Sequence, residues 1–313
     1  MARQAEAGRD VSALGMFDQG FYNKVGFGTG NYEQWIKFDP STLAVTNGFR
    51  PPKRLTTSDY EAIHTAMCSR SRLHGGVSFT APELMKVELN LIDEPFGLGY
   101  FDGPNGELTH FIFGSSKAGE HGPYEILWRA WQSPEQLLEL LALIKSIGDQ
   151  VYSINMLELG DIQLQDLLRQ PMRYRQTRSE GKYVSESRSM AYWQMRICNL
   201  ESCLAKTHLP GENLRFNLVM RDPIRRYLPP EQNWKGLGGD YVVTLGEQSS
   251  AEPGRDKDLP TLEASVGAFS RLWFGIRPAS SLAVTDELRA DCTLLDSLDR
   301  TIRLPRTHLG WDF

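Results

Sequence analysis

The hydrophobic pattern at the start of the chain predicts the end of a helix followed by two strands. Residues 2–7 are typical of the last turns of a helix that Gly8 ends, and residues 11–17 indicate a buried strand. A loop or short helical turn is predicted at 20–24 and a second strand at 32–39. One helix end and two strands cannot bury a core of their own. We therefore expect the two strands to lie side by side within an incomplete domain, with an unpaired edge and exposed apolar surface.

A mixed pattern of helices and strands follows Pro51-Pro52. Ser58 and Glu61 have the spacing of a capping box for a helix that continues to Met67, and Ser133 is placed to begin a second, amphipathic helix. The apolar positions of the second helix are Leu137, Leu138, Leu140, Leu141 and Ile144. The predicted strands cover residues 96–101, 108–114, 123–131 and 151–157. This order of elements is typical of an α/β unit.

A polar run at residues 176–189 is interpreted as a linker, and an α+β unit is predicted beyond it. Its first elements are strands at 192–198, 214–221 and 241–245 and a helix at 200–207. Residues 248–260 are expected to form a polar loop and 262–274 a helix. Thr285 is expected to cap a last helix, which Pro305 ends. The apolar stripe of that helix is Leu288, Cys292, Leu295, Leu298 and Ile302.

Composition limits the class of protein. The 313 residues are enough for two or three domains, and 41% hydrophobic and 10% aromatic residues argue against disorder. The net charge of −5, without a basic stripe, disfavours a nucleic-acid partner. No signal peptide or membrane-length apolar run is evident, so we expect a soluble cytoplasmic protein without a membrane partner. Scattered cysteines fit neither a disulfide framework nor a metal site: Cys68, Cys198, Cys203 and Cys292.

Three segments carry a family resemblance. They are Phe21-Tyr22-x-x-x-Gly26-Phe27-Gly28, the run 272–282 with Leu-Trp-Phe-Gly and Ala-Ser-Ser-Leu, and the ending Pro305…Thr307…Trp311-Asp312-Phe313. In this order the chain resembles the GNAT-superfamily N-acetyltransferases of the enhanced intracellular survival type. The resemblance implies a fold of α/β and α+β class in three domains. These are the C-terminal part of a catalytic GNAT domain (1–48), a degenerate GNAT-like domain (49–185) and a sterol-carrier-protein-like domain (186–313).

The resemblance also implies a reaction, which is acetyl transfer from acetyl-CoA to a primary amine of an aminoglycoside-like compound or a lysine. Tyr22 would be the general acid and the terminal carboxylate of Phe313 the general base. A tyrosine phenol, with an ordinary pKa of about 10, can protonate a thiolate whose thiol has a pKa of about 8.5. Phe17 and Asp18 would meet the thioester arm of acetyl-CoA, and Asp312 would attract a cationic substrate. A homo-oligomer without a metal is expected.

One feature of the family is absent from the sequence. The glycine- and arginine-rich loop that holds the pyrophosphate of acetyl-CoA is expected before residue 1, which indicates a truncated chain or a partner chain that supplies the loop. Residues 128–134, at the corresponding place of the second unit, contain no glycine and are interpreted as structural. The charged stretch 221–226 is interpreted as a solvated turn.

Two alternatives stay open at this point. Tyr22 alone is typical of a core or edge tyrosine, and most chain ends are frayed and solvated rather than catalytic. The alternative function is a non-catalytic module in which the sterol-carrier-like domain offers an apolar groove to a lipid or a protein.

Overall fold

The computed structural model describes residues 1–79, 81–171 and 181–311, which form two compact units of mixed α/β structure. The first unit contains residues 1–32 and 191–307, and the second contains residues 33–190 together with the described residues from 308 onward. Within the described part of the chain, no helix combines the length and apolar character needed to cross a membrane. The proposed domains 1–48, 49–185 and 186–313 stay a prediction.

The helices and strands are numbered in chain order. The helices are α1 (Ala2–Glu6), α2 (Gln19–Asn23), α3 (Tyr60–Ser69), α4 (Pro82–Asn90), α5 (Pro134–Ser146), α6 (Leu200–Ala205), α7 (Val266–Trp273), α8 (Ala279–Thr285) and α9 (Cys292–Thr301). The strands are β1 (Val11–Gly15), β2 (Gly28–Thr29), β3 (Glu33–Phe38), β4 (Lys53–Leu55), β5 (Pro95–Tyr100), β6 (His110–Ser115), β7 (Tyr124–Ala130), β8 (Ile154–Leu157), β9 (Glu186–Met190), β10 (Trp193–Ile197), β11 (Leu214–Arg221), β12 (Gly239–Leu245), β13 (Ser250–Pro253), β14 (Thr261–Ser265) and β15 (Leu288–Arg289).

The first unit is built on two sheets. A three-stranded antiparallel sheet has the order β1-β10-β2, and a five-stranded sheet has the order β13-β12-β11-β14-β15, in which β11 and β14 are parallel. Ser265 caps α7 by accepting a hydrogen bond from the Ala268 amide. The core includes Ile197, Phe216, Leu262, Phe269 and Leu298.

The second unit contains a seven-stranded sheet with the order β4-β5-β6-β7-β8-β3-β9. Its Leu-rich helix α5 begins where the Ser133 side chain accepts from the Gln136 amide, and it buries Leu137, Leu140, Leu141 and Ile144. A second cluster forms between α3, α4 and the aromatic rings of Phe113, Trp128 and Trp311.

Much of the predicted element order is confirmed. The mixed class, the strand Leu214–Arg221, the hairpin β5–β6 and the Ser133-capped helix agree with the sequence pattern. Gly8 ends α1 with φ of 78°, a left-handed conformation that glycine adopts without strain.

The pairing predicted for the first two strands is wrong. β1 pairs with β10, so that Val11 lies opposite Ile197, whereas β3 lies between β8 and β9 in the other sheet. Both β1 and β3 pair with strands that are far away in the sequence. Sequence periodicity gives no signal for such long-range pairing. β1 is an edge strand of its sheet and none of its residues is fully buried, so the prediction of a buried strand at 11–17 is wrong in that respect.

Several boundaries in the last third are also corrected. The predicted helix 262–274 is a strand, β14, followed by α7, and strand β13 forms inside the predicted loop 248–260. Thr285 ends α8 instead of capping a helix; Leu288 lies in β15, and Asp291 caps α9. β9 forms inside the predicted linker, of which residues 176–180 lie outside the described residues. Earlier in the chain, the capping box uses Thr56 and Asp59, not Ser58 and Glu61.

The apolar tail is buried as far as it is described. Trp311 is 2% exposed, with its ring 4.2 Å from that of Phe79 and 5.0 Å from that of Trp128. The backbone leading to it is held by two hydrogen bonds, from the Val77 amide to the Leu309 carbonyl and from Arg70 Nη2 to the Gly310 carbonyl.

The second unit contains a cluster of charged side chains around Arg50. Arg50 donates to both carboxylates of Asp102 and Glu139, and His110 Nε2 lies 3.0 Å from Glu139 Oε2. The hydrogen bonds from Arg50 lower the pKa of Glu139 to about 2. Burial lowers the pKa of His110, and the hydrogen bond to Glu139 opposes that effect only in part.

Replacing Trp311 by alanine should destabilise the protein by about 3–5 kcal/mol, because a fully buried aromatic side chain leaves a cavity that the core cannot refill. The measurement is the free energy of urea unfolding. Tyr227→Ala is the control, since this side chain is 58% exposed and should change stability by no more than about 0.5 kcal/mol. Equal effects of the two substitutions would contradict the buried position of Trp311.

Stability should fall with acidification in two windows. A depressed carboxylate pKa stabilises the folded state above the ordinary value of 4.5, so the Glu139 contribution is lost as pH falls from 4.5 towards 2. Burial lowers the pKa of His110 in the folded protein, so its contribution to stability is present above the ordinary pKa of 6.5 and is lost as pH falls below that value. In urea titrations, the stability difference between wild type and Glu139→Gln should shrink below pH 4.5. Asp93→Asn, which alters an exposed ion pair, is the control. A difference for Glu139→Gln that is independent of pH would contradict this explanation.

Candidate functional site

Tyr22 lies on the short helix α2, directly after the edge strand β1. The Asp18 side chain caps this helix by accepting from the Gly20 amide at 2.9 Å. The half-buried Tyr22 ring makes edge contacts with three phenylalanines, at centroid distances of 5.4 Å to Phe17, 5.2 Å to Phe21 and 6.1 Å to Phe27. The local sequence therefore builds an aromatic cluster around one phenol.

The aromatic cluster has an exposed side. Phe17 is 81% exposed and Phe21 is 54% exposed, whereas Phe27 is buried. Within residues 1–79, 81–171 and 181–311, the Tyr22 hydroxyl has no hydrogen-bond partner. Large apolar side chains are seldom left together in water without a function. The arrangement can offer an apolar contact and a hydroxyl donor to the same small molecule.

The segment after Tyr22 needs its glycines. A Cβ at Gly26 would lie 2.6 Å from Val266 Cγ1, and φ at this position is 85°. A Cβ at Gly28 would lie 2.4 Å from the carbonyl oxygen of Gly267. The chain from Gly26 to Gly28 therefore passes backbone to backbone along the start of α7, an approach that only glycine permits.

A buried ion pair lies beneath the same segment. Arg196 of β10 and Asp222 are both fully buried, and Arg196 Nη2 donates to Asp222 Oδ2 at 2.6 Å. Asp222 is part of the stretch 221–226, so the interpretation of that stretch as a solvated turn is wrong for this residue. In the sequence, only an Asp before Pro223 marks this position. An Asp before a proline is found both in buried and in solvated turns, so the burial of Asp222 could not be predicted.

The structure brings three of the five predicted site residues together. Tyr22, Phe17 and Asp18 lie within one turn of chain, although the Asp18 carboxylate is used as the cap of α2. Asp312 and Phe313 lie outside the described residues. The roles of all five residues stay predictions. Sequence reasoning missed Gln194 and Arg196, which contact the Tyr22 segment from β10.

The described residues contain one group with the donor spacing of a metal site. One ligand atom each of Asp102, His110 and Glu139 lies within 4.8 Å of the others. The guanidinium of Arg50 pairs with both carboxylates, at 2.6 Å and 2.8 Å. It therefore supplies the positive charge that a cation would bring, and the group is best described as a salt-bridge cluster.

No protein-family model matches the sequence, and no curated protein matches it. Solved structures do match it. A conserved protein of unknown function from Enterococcus faecalis, described as a probable N-acyltransferase, is 19% identical with a TM-score of 0.74, over 98% of this chain and 74% of the other. A GCN5-related N-acetyltransferase from Anabaena variabilis is 14% identical with a TM-score of 0.75, over 100% and 75% of the two chains. Eis1 from Mycobacterium abscessus is 13% identical with a TM-score of 0.72, over 100% and 76%.

These similarities extend along the whole chain at low identity, so they concern the fold. They confirm, at the level of architecture, the resemblance drawn from the three sequence segments. The sterol-carrier-protein-like assignment of residues 186–313 is not part of what they establish. The chain has the fold of GCN5-related N-acetyltransferases of the Eis type.

Proposed function

We propose that the protein is an acetyl-CoA-dependent N-acetyltransferase that acts on primary amines. The observation that carries this proposal is the fold, which is shared along essentially the full chain with proteins named as N-acetyltransferases. A fold alone is compatible with many chemistries. The second support is local: the Tyr22 hydroxyl has no partner among the described residues, and it lies beside the exposed rings of Phe17 and Phe21.

The reaction needs a proton donor and a proton acceptor. The neutral amine attacks the thioester carbonyl, the C–N bond forms, and the C–S bond of the tetrahedral intermediate breaks. Tyr22 donates its phenolic proton to the leaving thiolate of CoA. The proton lost by the amine passes to the terminal carboxylate of Phe313, directly or through a water. The Phe313 carboxylic acid then releases its proton to solvent and the Tyr22 phenolate takes one up, so the cycle consumes only acetyl-CoA and the amine.

The other predicted site residues have distinct roles in this proposal. The exposed ring of Phe17 gives the thioester arm of acetyl-CoA an apolar surface. Asp18 acts through the helix that it caps, because its Oδ1 accepts from the Gly20 amide. Asp312 adds negative charge for a cationic substrate such as an aminoglycoside-like amine or a lysine. A homo-oligomer is proposed because the exposed ring of Phe21 is costly in water.

Tyr22→Phe should lower kcat by about 10²–10⁴-fold, because it removes the general acid and keeps the aromatic ring. The KM for acetyl-CoA should change by less than about threefold, since the lost group acts on the transition state. The measurement is CoA release with a panel of aminoglycosides, polyamines and lysine peptides.

Tyr32→Phe is the matched control, since Tyr32 is an exposed tyrosine of the same unit and its ring should still stack with Arg277. This variant should retain wild-type kinetics. If Tyr22→Phe turns over at the wild-type rate, Tyr22 is not the acid. If the wild-type chain acetylates none of the amines, the non-catalytic binding module becomes the better explanation.

A further inference from the structure

Two buried side chains of strand β10 donate hydrogen bonds to the segment that carries Tyr22. Gln194 and Arg196 are two residues apart in β10, so they lie on the same face of the three-stranded sheet. Both are fully buried. Buried polar side chains need partners, and here most of the partners belong to the segment from Gln19 to Thr29.

Arg196 contacts the backbone directly after α2. Its Nη1 donates to the Val25 carbonyl oxygen at 2.5 Å, and both Nη atoms donate to the carboxylate of Asp222 at 3.2 Å and 2.6 Å. Asp222 in turn accepts from the amides of Ile224 and Leu237 at 3.1 Å and 2.8 Å. The guanidinium is therefore fixed on one side by a rigid carboxylate and on the other by Val25.

Val25 connects this anchor to Tyr22. The Val25 amide donates to the Tyr22 carbonyl at 3.0 Å, and the Phe27 amide donates to the same oxygen at 3.3 Å. A Cβ at Gly26 would lie 2.7 Å from Arg196 Nη1, so the guanidinium lies close against the turn. A displacement of the Arg196 head would therefore move the peptide that fixes the Tyr22 backbone.

Gln194 holds the helix itself. Its Nε2 donates to Asn23 Oδ1 at 3.0 Å and to Thr29 Oγ1 at 3.2 Å, and Gln19 Nε2 also donates to Thr29 Oγ1 at 3.0 Å. Both ends of α2 are thus connected to one buried amide. The Oε1 atom of Gln194 has no partner among the described residues, so the buried amide contributes less stability than a fully hydrogen-bonded one would.

We propose that Arg196, oriented by Asp222, and Gln194 are positioning residues that hold the Tyr22 phenol in the orientation needed for proton donation. The proposal rests on the proposed function of Tyr22. A buried ion pair is a poor source of stability compared with apolar residues of similar volume. Its use here is explained by geometry, because a displacement of about 1 Å at a catalytic group can cost on the order of 10²-fold in rate.

The test is Arg196→Lys in two backgrounds. Lysine keeps the charge but cannot reproduce the planar fork that reaches Asp222 and Val25 together. With Tyr22 present, kcat should fall about 10–100-fold while the KM for acetyl-CoA changes less than about threefold. In the Tyr22→Phe background the same substitution should cost less than about twofold, since there is no phenol left to position. An equal loss in both backgrounds would overturn the proposal.

Hydrogen–deuterium exchange gives a readout that needs no activity. In Arg196→Lys, peptides covering residues 19–28 should exchange about tenfold faster or more, while peptides covering β11 should be unchanged. Arg50→Lys, a bidentate arginine in the other unit, is the control and should alter neither this exchange nor kcat. Unchanged exchange at 19–28 would overturn the anchoring even if the protein proved to have another function.

A milder variant covers the case in which Arg196→Lys does not fold. Asn23 is exposed, so Asn23→Ala removes one hydrogen bond from Gln194 and leaves the ion pair intact. It should lower kcat about threefold to tenfold in the Tyr22 background and have no effect in the Tyr22→Phe background. If the wild type acetylates amines and Tyr22→Phe is impaired, but Asn23→Ala is additive with it, the proposed function stands and the positioning role is wrong.

Discussion

The buried ion pair of Arg196 and Asp222 fixes the position of the backbone that follows Tyr22. Removing either partner would leave an uncompensated charge in the core, at a cost of about 3–5 kcal/mol. The Asp222 carboxylate is also fixed by two backbone amides that donate to it, one in the turn after β11 and one at Leu237. The Trp234 ring covers the guanidinium at 5.2 Å and excludes water from it. In this way an ion pair that contributes little net stability specifies where one loop must lie.

Close backbone approach is the second constraint on the same loop. Gly26 and Gly28 bring the chain against α7 at distances that no side chain would allow, and Gly267 on the helix allows the approach from the other side. The Phe27 ring between the two glycines is buried and makes an edge contact with Tyr22. The motif read from the sequence is thus mainly a packing motif. Its chemistry depends on Tyr22, which is the one member with a polar group at the exposed aromatic cluster.

In the second unit, the main cluster of charged side chains connects separate elements of the fold. Arg50 joins the hairpin end at Asp102 to Glu139 of α5, and the buried His110 is held between Thr109 and Glu139. Burial moves the pKa of His110 downward and the hydrogen bonds from Arg50 move the pKa of Glu139 downward, so the cluster stabilises the folded state less as the pH is lowered. The cluster has the donors of a metal site, yet its internal cation makes it a structural connection between the sheet and its main helix.

Local signals in the sequence determined much of this protein. The leucine period of α5 with Ser133 before it, the alternation of β11, and the glycine after α1 each predicted an element that the structure contains. The Phe-Tyr-x-x-x-Gly-Phe-Gly motif, together with the two later segments, indicated the fold by resemblance, and the resemblance singled out Tyr22. Periodicity could not divide residues 262–274 into a strand and a helix, since a short apolar run fits both.

Only the tertiary structure decided which strands pair and which charges are buried. β1 pairs with β10, and β3 pairs with β8 and β9, through backbone hydrogen bonds to strands far along the chain. The sequence around Asp222 gives no sign that its carboxylate is buried, because the partner, Arg196, comes from a different strand. Charge burial and strand pairing are properties of the packed core, so single-sequence patterns of period 2 or 3.6 contain no information about them. The sequence singled out Tyr22 by resemblance, but it did not indicate the buried side chains of β10 that contact the Tyr22 segment.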